Sequence, residues 1–205
     1  MFRENNPKNF KLTIIALLLI HNIVITVAWS FQIPLSYFTN SVASIKFNTA
    51  FLFLLSLLIL LIYDKKERIF TYIFYTTIFF IFGLSSATLL EYYTTLDFNT
   101  GNFLVTDVFT ENLPGRMSEA TSFSFAFLSI SFIASKTTKN TSIKIIQYAV
   151  FVPLFLSLIS ITLSLFQVPI EKRIFFFQTM STQTSITFII ISLLVLFDEF
   201  KLHLS

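Results

Sequence analysis

The sequence predicts an all-α integral membrane protein: six transmembrane helices arranged as three repeated helix-loop-helix hairpins, with both termini cytoplasmic. The first observation behind this is composition. Of 205 residues, 55% are hydrophobic and 12% charged, with a mean hydropathy of +0.78, too little polar surface to cover a water-soluble globule. The second is that apolar runs near the length needed to cross about 30 Å of hydrocarbon are separated by short charged clusters. Shorter, alternating segments would be expected of transmembrane strands. The third is a motif stated three times along the chain.

The fullest copy of that motif is Gly115 to Phe127, Gly-Arg-Met-Ser-Glu-Ala-Thr-Ser-Phe-Ser-Phe-Ala-Phe. Degenerate copies are Ile45-Lys46-Phe47-Asn48-Thr49-Ala50-Phe51 and Met180-Ser181-Thr182-Gln183-Thr184-Ser185-Ile186, which puts Thr49, Thr121 and Thr184 in one column. A second anchor, Phe31-Gln32-Ile33-Pro34 and Phe166-Gln167-Val168-Pro169, precedes the first and third copies, and the step from Phe to Thr is 18 residues in both. Two motifs at one spacing point to an internal repeat, with units of about 12–63, 69–135 and 145–197 in a single membrane domain.

The elements follow in order. Met1 to Lys11 is polar and basic and leads into a first span, Leu12 to Trp29, which lacks a small-residue cleavage pattern and is expected to stay as an anchor. It carries His21-Asn22 near mid-membrane, a costly pair in lipid that is expected to face other helices, either as an interhelical hydrogen bond or as a ligand contact. Phe31 to Lys46 is the first outer loop and Phe47 to Tyr63 the second helix. Asp64 to Arg68 is a charged turn. The third span is Ile69 to Leu90, followed by a long loop, Glu91 to Arg116, whose Glu91, Asp97, Asp107 and Glu111 make it acidic and solvated, with Gly101 and Pro114-Gly115 as turn signals. Glu119 to Ser135 is the fourth span, Lys136 to Lys144 a basic turn, and Ile145 to Leu165 the fifth span with Pro153 as a kink point. Phe166 to Thr179 is the third outer loop, and Thr182 to Phe197 the sixth span, ending in Asp198-Glu199-Phe200-Lys201.

Ten of the 14 basic residues fall at the amino terminus, in the two short turns and in the carboxyl tail, while Lys46, Arg116, Lys172 and Arg173 lie on the other side. That bias puts both termini in the cytoplasm and all three motif-bearing loops outside. Trp29, Tyr63, Tyr92 and Tyr93 stand near span ends as interfacial anchors.

Ser118 and Ser181 occupy N-cap positions, with Thr121 and Thr184 three residues on, where a side chain reaches back to the cap. The first copy has Lys46 at that place, so its helix would start from Ser44 or be capped by Asn48. One reading is that the motif only ends backbone exposure at the membrane boundary. The other is that three helix amino termini, which attract anions and hydrogen-bond acceptors, form an outward ligand-binding pocket. Its lining would be Arg116, Ser118, Thr121, Thr49, Asn48, Gln183 and Thr184, with Gln32 and Gln167 on the rim, and His21 is a further candidate contact.

Several chemistries find no residues. Zero cysteines exclude disulfides and thiolate metal sites, and three glycines cannot build a phosphate loop. His21 is the only histidine within a span and His203 lies past the last one, where it cannot complete a bis-histidine haem site, no metal site is expected, and any cofactor stays undefined. Scattered basic residues do not make a nucleic-acid surface. No acidic residue sits between span ends, which weakens pump readings.

Pro114-Gly115-Arg116-Met117-Ser118 followed by Thr121 resembles the Pro-Gly-Arg-Met-Ser-Pro-x-Thr-Ala motif of a bacterial multi-pass membrane sensor region found N-terminal to histidine kinase, PAS and diguanylate cyclase domains. Phe47-Asn48-Thr49-Ala50 resembles its Ser-Phe-Asn-Thr-Ala version, and Met180 to Thr184 a third. Departures are Glu119-Ala120 for the Pro-containing pair and Ser122 and Ser185 for Ala. The resemblance spans nearly the whole chain and implies a non-enzymatic input module in the bacterial inner membrane that signals through its last helix, with Asp198 to Leu204 meeting a cytoplasmic partner. No output domain follows in this sequence, so the module would be excised from a longer protein or act through a separate partner. The alternative is a structural subunit of a larger membrane complex, where 28 phenylalanines supply packing surface for neighbours, lipids or pigments. A solute channel or carrier is a third reading. The lipid bilayer is the expected environment in each, and oligomers are compatible with all.

Overall fold

The computed structural model describes residues 7–33, 45–108, 114–136, 140–169, 172–178 and 180–204. Within them the chain is helical: α1 Pro7–Ser30, α2 Phe47–Ile62, α3 Arg68–Tyr93, α4 Glu119–Ser135, α5 Asn140–Leu165 and α6 Thr182–Leu204, with 3₁₀ turns at Thr100–Asn102 and Phe175–Phe177. No strand occurs among the described residues. Pro34, Ser44, Glu111 and Lys139, which entered the sequence reading, lie outside them.

The helices fall into two classes by length. Asn9–Ser30, Arg68–Tyr93 and Lys144–Leu165 are long and apolar enough to cross a membrane, whereas Phe47–Ile62, Glu119–Ser135 and Thr182–Phe197 are shorter apolar helices. The long helices turn large apolar side chains outward, among them Leu17, Phe79 and Phe155, as expected of helices facing lipid. The short ones are central. Each long helix packs on the short helix that follows it, α3 and α5 also pack on the short helix before them, α6 meets α2 and α4, and α2 touches α4 through Phe53 and Phe125.

Counted from Thr49, Thr121 and Thr184, the same positions are buried in all three short helices: 0, 1, 3, 4, 7, 8, 10 and 11. This is a helical stripe wide enough to face the centre and a long neighbour at once. Position 4 is phenylalanine each time. Phe53, Phe125 and Phe188 are fully buried and close a triangle with ring centroids 4.9, 4.7 and 4.7 Å apart, tilted or edge to face, the arrangement aromatic quadrupoles favour. The three threonines therefore stand at one level of the bundle. Four residues before them Ile45, Met117 and Met180 are buried alike, each 1% exposed.

Small hydroxyl residues line the contacts of α4, which is buried along nearly its whole length. Ser122, Ser124 and Ser129 donate to the carbonyls four residues earlier at 2.7 to 3.0 Å. Satisfied within their own helix, they let neighbouring backbones approach closely in an apolar core.

One seam of this arrangement is open. Among the described residues α1 does not pack closely on α6 as α3 packs on α2 and α5 on α4. Consequently Ile186 and Leu193 are 47% and 42% exposed, whereas their counterparts Phe51 and Leu58 on α2, and Phe123 and Ile130 on α4, are partly buried.

Several expected boundaries shift. α1 includes part of the predicted polar leader, starting at Pro7, and proline suits the first turn, where its missing N–H has no intrahelical role. α3 runs on to Tyr93 and so takes in Glu91. α5 begins at Asn140, inside the predicted basic turn, and continues through Pro153. His21 is exposed on the outer face of α1 and only Asn22 is buried, donating to the Leu18 carbonyl at 2.8 Å. The expectation that both face other helices is corrected for His21, because adjacent helical residues point about 100° apart.

At the far ends of α2 and α4, Tyr63 Oη donates to the Ser135 carbonyl at 2.7 Å and Lys136 Nζ to the Tyr63 carbonyl at 2.6 Å. Lys136 lies over the Tyr63 and Phe74 rings. Burial there holds its ammonium below the ordinary lysine range, with Asp64 opposing.

Candidate functional site: the polar layer at the starts of the short helices

Two of the three motif copies have the same hydrogen-bond geometry. Thr121 N donates to Ser118 Oγ at 3.1 Å and Thr184 N to Ser181 Oγ at 3.1 Å. The paired hydroxyls, Ser118 with Thr121 and Ser181 with Thr184, are 2.7 and 2.8 Å apart, and Ser122 and Ser185 donate back to the cap carbonyls. The spacing of serine and threonine predicts these caps.

The first copy differs. Lys46 is its N-cap without a side-chain cap bond, and Asn48 does not cap either. Its Nδ2 reaches the Thr100 carbonyl at 2.6 Å, while its Oδ1 is buried without a hydrogen-bond partner. Lys46 Nζ pairs instead with Asp107 Oδ2 at 3.0 Å.

The long loop is built over this layer around two buried carboxylates. Glu91, whose side chain is fully buried, pairs with Arg116 Nε at 3.0 Å. Its Oε1 accepts from the backbone N–H groups of Phe98 and Thr100 at 2.9 and 2.8 Å, and its Oε2 from the Thr100 hydroxyl. Asp107, besides Lys46, accepts from Gly115 N at 2.7 Å, and its own N–H donates to Asn102 Oδ1. The expectation of an acidic, solvated loop is thus corrected at Glu91 and Asp107: both serve as internal anchors for backbone donors that would otherwise be stranded. Asp97 is exposed as expected.

Glycine makes this loop closure possible. Gly101 and Gly115 cross backbone to backbone, so a Cβ on Gly101 would overlap the Pro114 carbonyl and one on Gly115 the Gly101 carbonyl, and Gly115 has φ +65° besides.

Three supposed interfacial anchors turn inward. Trp29 is buried and donates from Nε1 to the Ile45 carbonyl at 2.8 Å. Tyr92 Oη donates to the Met117 carbonyl at 2.9 Å, under the Arg116 guanidinium, and Tyr63 bonds as described. Before both α2 and α4 an aromatic donor from the preceding long helix thus ties down the residue four before Thr49 or Thr121. Only Tyr93 is exposed at 62%.

Of the residues picked from the sequence, Asn48, Thr49, Ser118, Thr121 and Thr184 are all buried at the helix starts, one turn before the phenylalanine triangle, Gln183 is partly buried next to Thr184, and Arg116 is paired with Glu91. Gln32 and Gln167 lie apart, exposed at the ends of α1 and α5. Both have positive φ, +54° and +50°. Ile33 N donates to the Ala28 carbonyl and Val168 N to the Leu163 carbonyl, the six-to-one bond of a Schellman stop. The Phe-Gln-x-Pro anchor is therefore a helix terminator. Glu91, Thr100 and Asp107 are the members sequence reasoning missed. Among the described residues no group of three or more His, Asp or Glu is placed to hold a metal ion.

Compared with protein-family models, with curated proteins and with solved structures, the chain matches none.

Proposed function

We propose that the protein is a non-enzymatic sensory input module of the bacterial cytoplasmic membrane. In this reading all six helices cross the bilayer as three related hairpins, both termini are cytoplasmic, and the motif-bearing ends face outward. The observation that carries it is the column of equivalent residues: three helix starts at one level, two with identical caps, over one phenylalanine triangle. A ligand engaging that layer would touch all three short helices at once, and α6, continuous from Thr182 to Leu204, would carry the displacement to a cytoplasmic partner. Among the described residues the polar layer is buried and internally bonded, so in this reading a ligand competes with the Asp107 and Glu91 anchors.

The test is a chimera in which this chain, joined after Leu204, replaces the input region of a membrane histidine kinase, with junctions stepped one residue at a time through two helical turns. Autophosphorylation that changes with conditioned medium or membrane lipid extract, and loses that change in Thr121→Val, supports the reading. Chimeras that insert and phosphorylate but respond in no register count against it.

The second reading, a structural subunit of a membrane complex, is favoured by the open seam on α6, where Ile186 and Leu193 are exposed. Purification from native membranes in a fixed stoichiometry, with the seam covered by other subunits, would establish it in place of the first.

A further inference from the structure

We infer that the loop layer over the short helices is a lipid-binding surface, seated in the acyl and headgroup boundary of the outer leaflet and not in water. The inference rests on the membrane setting proposed above and adds to it where the loops lie.

Length argues first. At about 1.5 Å per residue the 16 residues of α2 span about 24 Å. That falls short of a hydrocarbon core of about 30 Å. The 26 residues of α3 reach about 39 Å. The excess is shared between the two ends: Tyr63 at the far end of α2 packs on Phe74, six residues into α3, while at the other end Glu91 and Tyr92 of α3 meet Arg116 and the Met117 carbonyl just before α4 starts, so loop residues take up part of the remaining depth there.

The bonding of that loop argues second. A loop in water leaves its N–H groups to solvent, but here two buried carboxylates are spent on them: Glu91 on Phe98 N and Thr100 N, Asp107 on Gly115 N. Each carboxylate is neutralised by a cation of the same layer. Non-helical backbone at membrane depth is tolerated where its polar groups are satisfied inside the protein, and at Phe98, Thr100, Asp107 and Gly115 this loop does so with side chains.

The third argument is what the loops turn outward. Phe98, Phe103 and Val108 in the second loop are 48%, 60% and 56% exposed, and Ile174 and Phe175 in the third 71% and 57%. Lys172, also exposed, adjoins the last pair. Aromatic and aliphatic side chains beside a cation match an interface of acyl chains and anionic phosphates. The apolar residues are spread over two loops, and Phe31 and Phe166 repeat the pattern at the ends of α1 and α5, which suits a continuous lipid phase better than one docked protein.

The chain has no cysteine, so single-cysteine labelling is free of background. Phe103→Cys, Ile174→Cys, Asp97→Cys and Phe79→Cys, carrying a bimane, are reconstituted in phosphatidylcholine and phosphatidylglycerol vesicles. Quenching by brominated acyl chains and by aqueous iodide is then compared. Phe79 on α3 reports the membrane setting itself. Expected is bromolipid quenching at positions 103 and 174 comparable with position 79 and several-fold above position 97, with iodide giving the reverse order. Positions 103 and 174 quenched by iodide like position 97, while 79 responds to bromolipid, would overturn this inference alone. Positions 103 and 174 shielded from both quenchers would also overturn it, by showing a protein contact there. Failure at position 79 would remove the membrane setting instead.

Discussion

Arg116 Nε lies 3.0 Å from the fully buried carboxylate of Glu91, which also holds the N–H groups of Phe98 and Thr100. The most motif-like charge of the sequence is thus neutralised within the fold. Arg116→Ala would leave a buried carboxylate without its cation, and breaking such a pair costs about 3–5 kcal/mol. Glu91→Gln strands fewer groups, because the amide oxygen can still accept from the loop. We expect Arg116→Ala to lower the midpoint of unfolding in detergent much more than Glu91→Gln, and the double variant to recover part of the loss. An Arg116 that served only an incoming anion would leave the midpoint unchanged.

The Phe53, Phe125 and Phe188 triangle gives an internal control on the equivalence of the three short helices. Each ring is fully buried, and truncating a buried phenylalanine to alanine costs about 3–5 kcal/mol. We expect Phe53→Ala, Phe125→Ala and Phe188→Ala to destabilise by similar amounts and to be non-additive in pairs, since each removes two ring contacts from one cluster. Additive effects would mean that the rings do not act as one unit.

What was legible beforehand follows the physics of each feature. The helices and their order are written in apolar runs, and the Ser118 and Ser181 caps in a local spacing that needs no tertiary partner. The roles of Glu91 and Asp107 are not, because an acidic residue beside turn signals reads as solvated unless the donors it serves are known, and those lie 7 to 9 residues away. Trp29 reads as an interfacial anchor for the same reason: its partner carbonyl, Ile45, is 16 residues off. Thr49, Thr121 and Thr184 fall in one column by alignment, yet their burial on the inner stripe of each short helix follows only from the packing of those helices. Gln32 and Gln167 look like a ligand rim because they recur, but the recurrence is that of a helix stop.

That stop is testable. A non-glycine residue in the left-handed region costs roughly 1–2 kcal/mol, and glycine is the usual choice there. Gln32→Gly and Gln167→Gly are expected to raise thermal stability slightly and to leave any ligand response of the chimera intact. A lost response at unchanged or higher stability would return both side chains to the rim of a site.

The open seam predicts an asymmetry among residues that are otherwise equivalent. Ile186 on α6 is 47% exposed, while Phe51 and Phe123 at the same step from their threonines are partly buried, Phe51 against Phe80 of α3 and Phe123 against Phe176 of the third loop. In a cysteine-free chain, Ile186→Cys should react several-fold faster with a membrane-permeant maleimide than Phe51→Cys or Phe123→Cys. Its substitution should also destabilise less, because it removes fewer packed atoms. Equal reactivity at all three positions would mean that α1 closes on α6 in the membrane, completing the ring. Protection of Ile186 alone in native membranes, lost on purification, would identify the seam as the place where another chain docks.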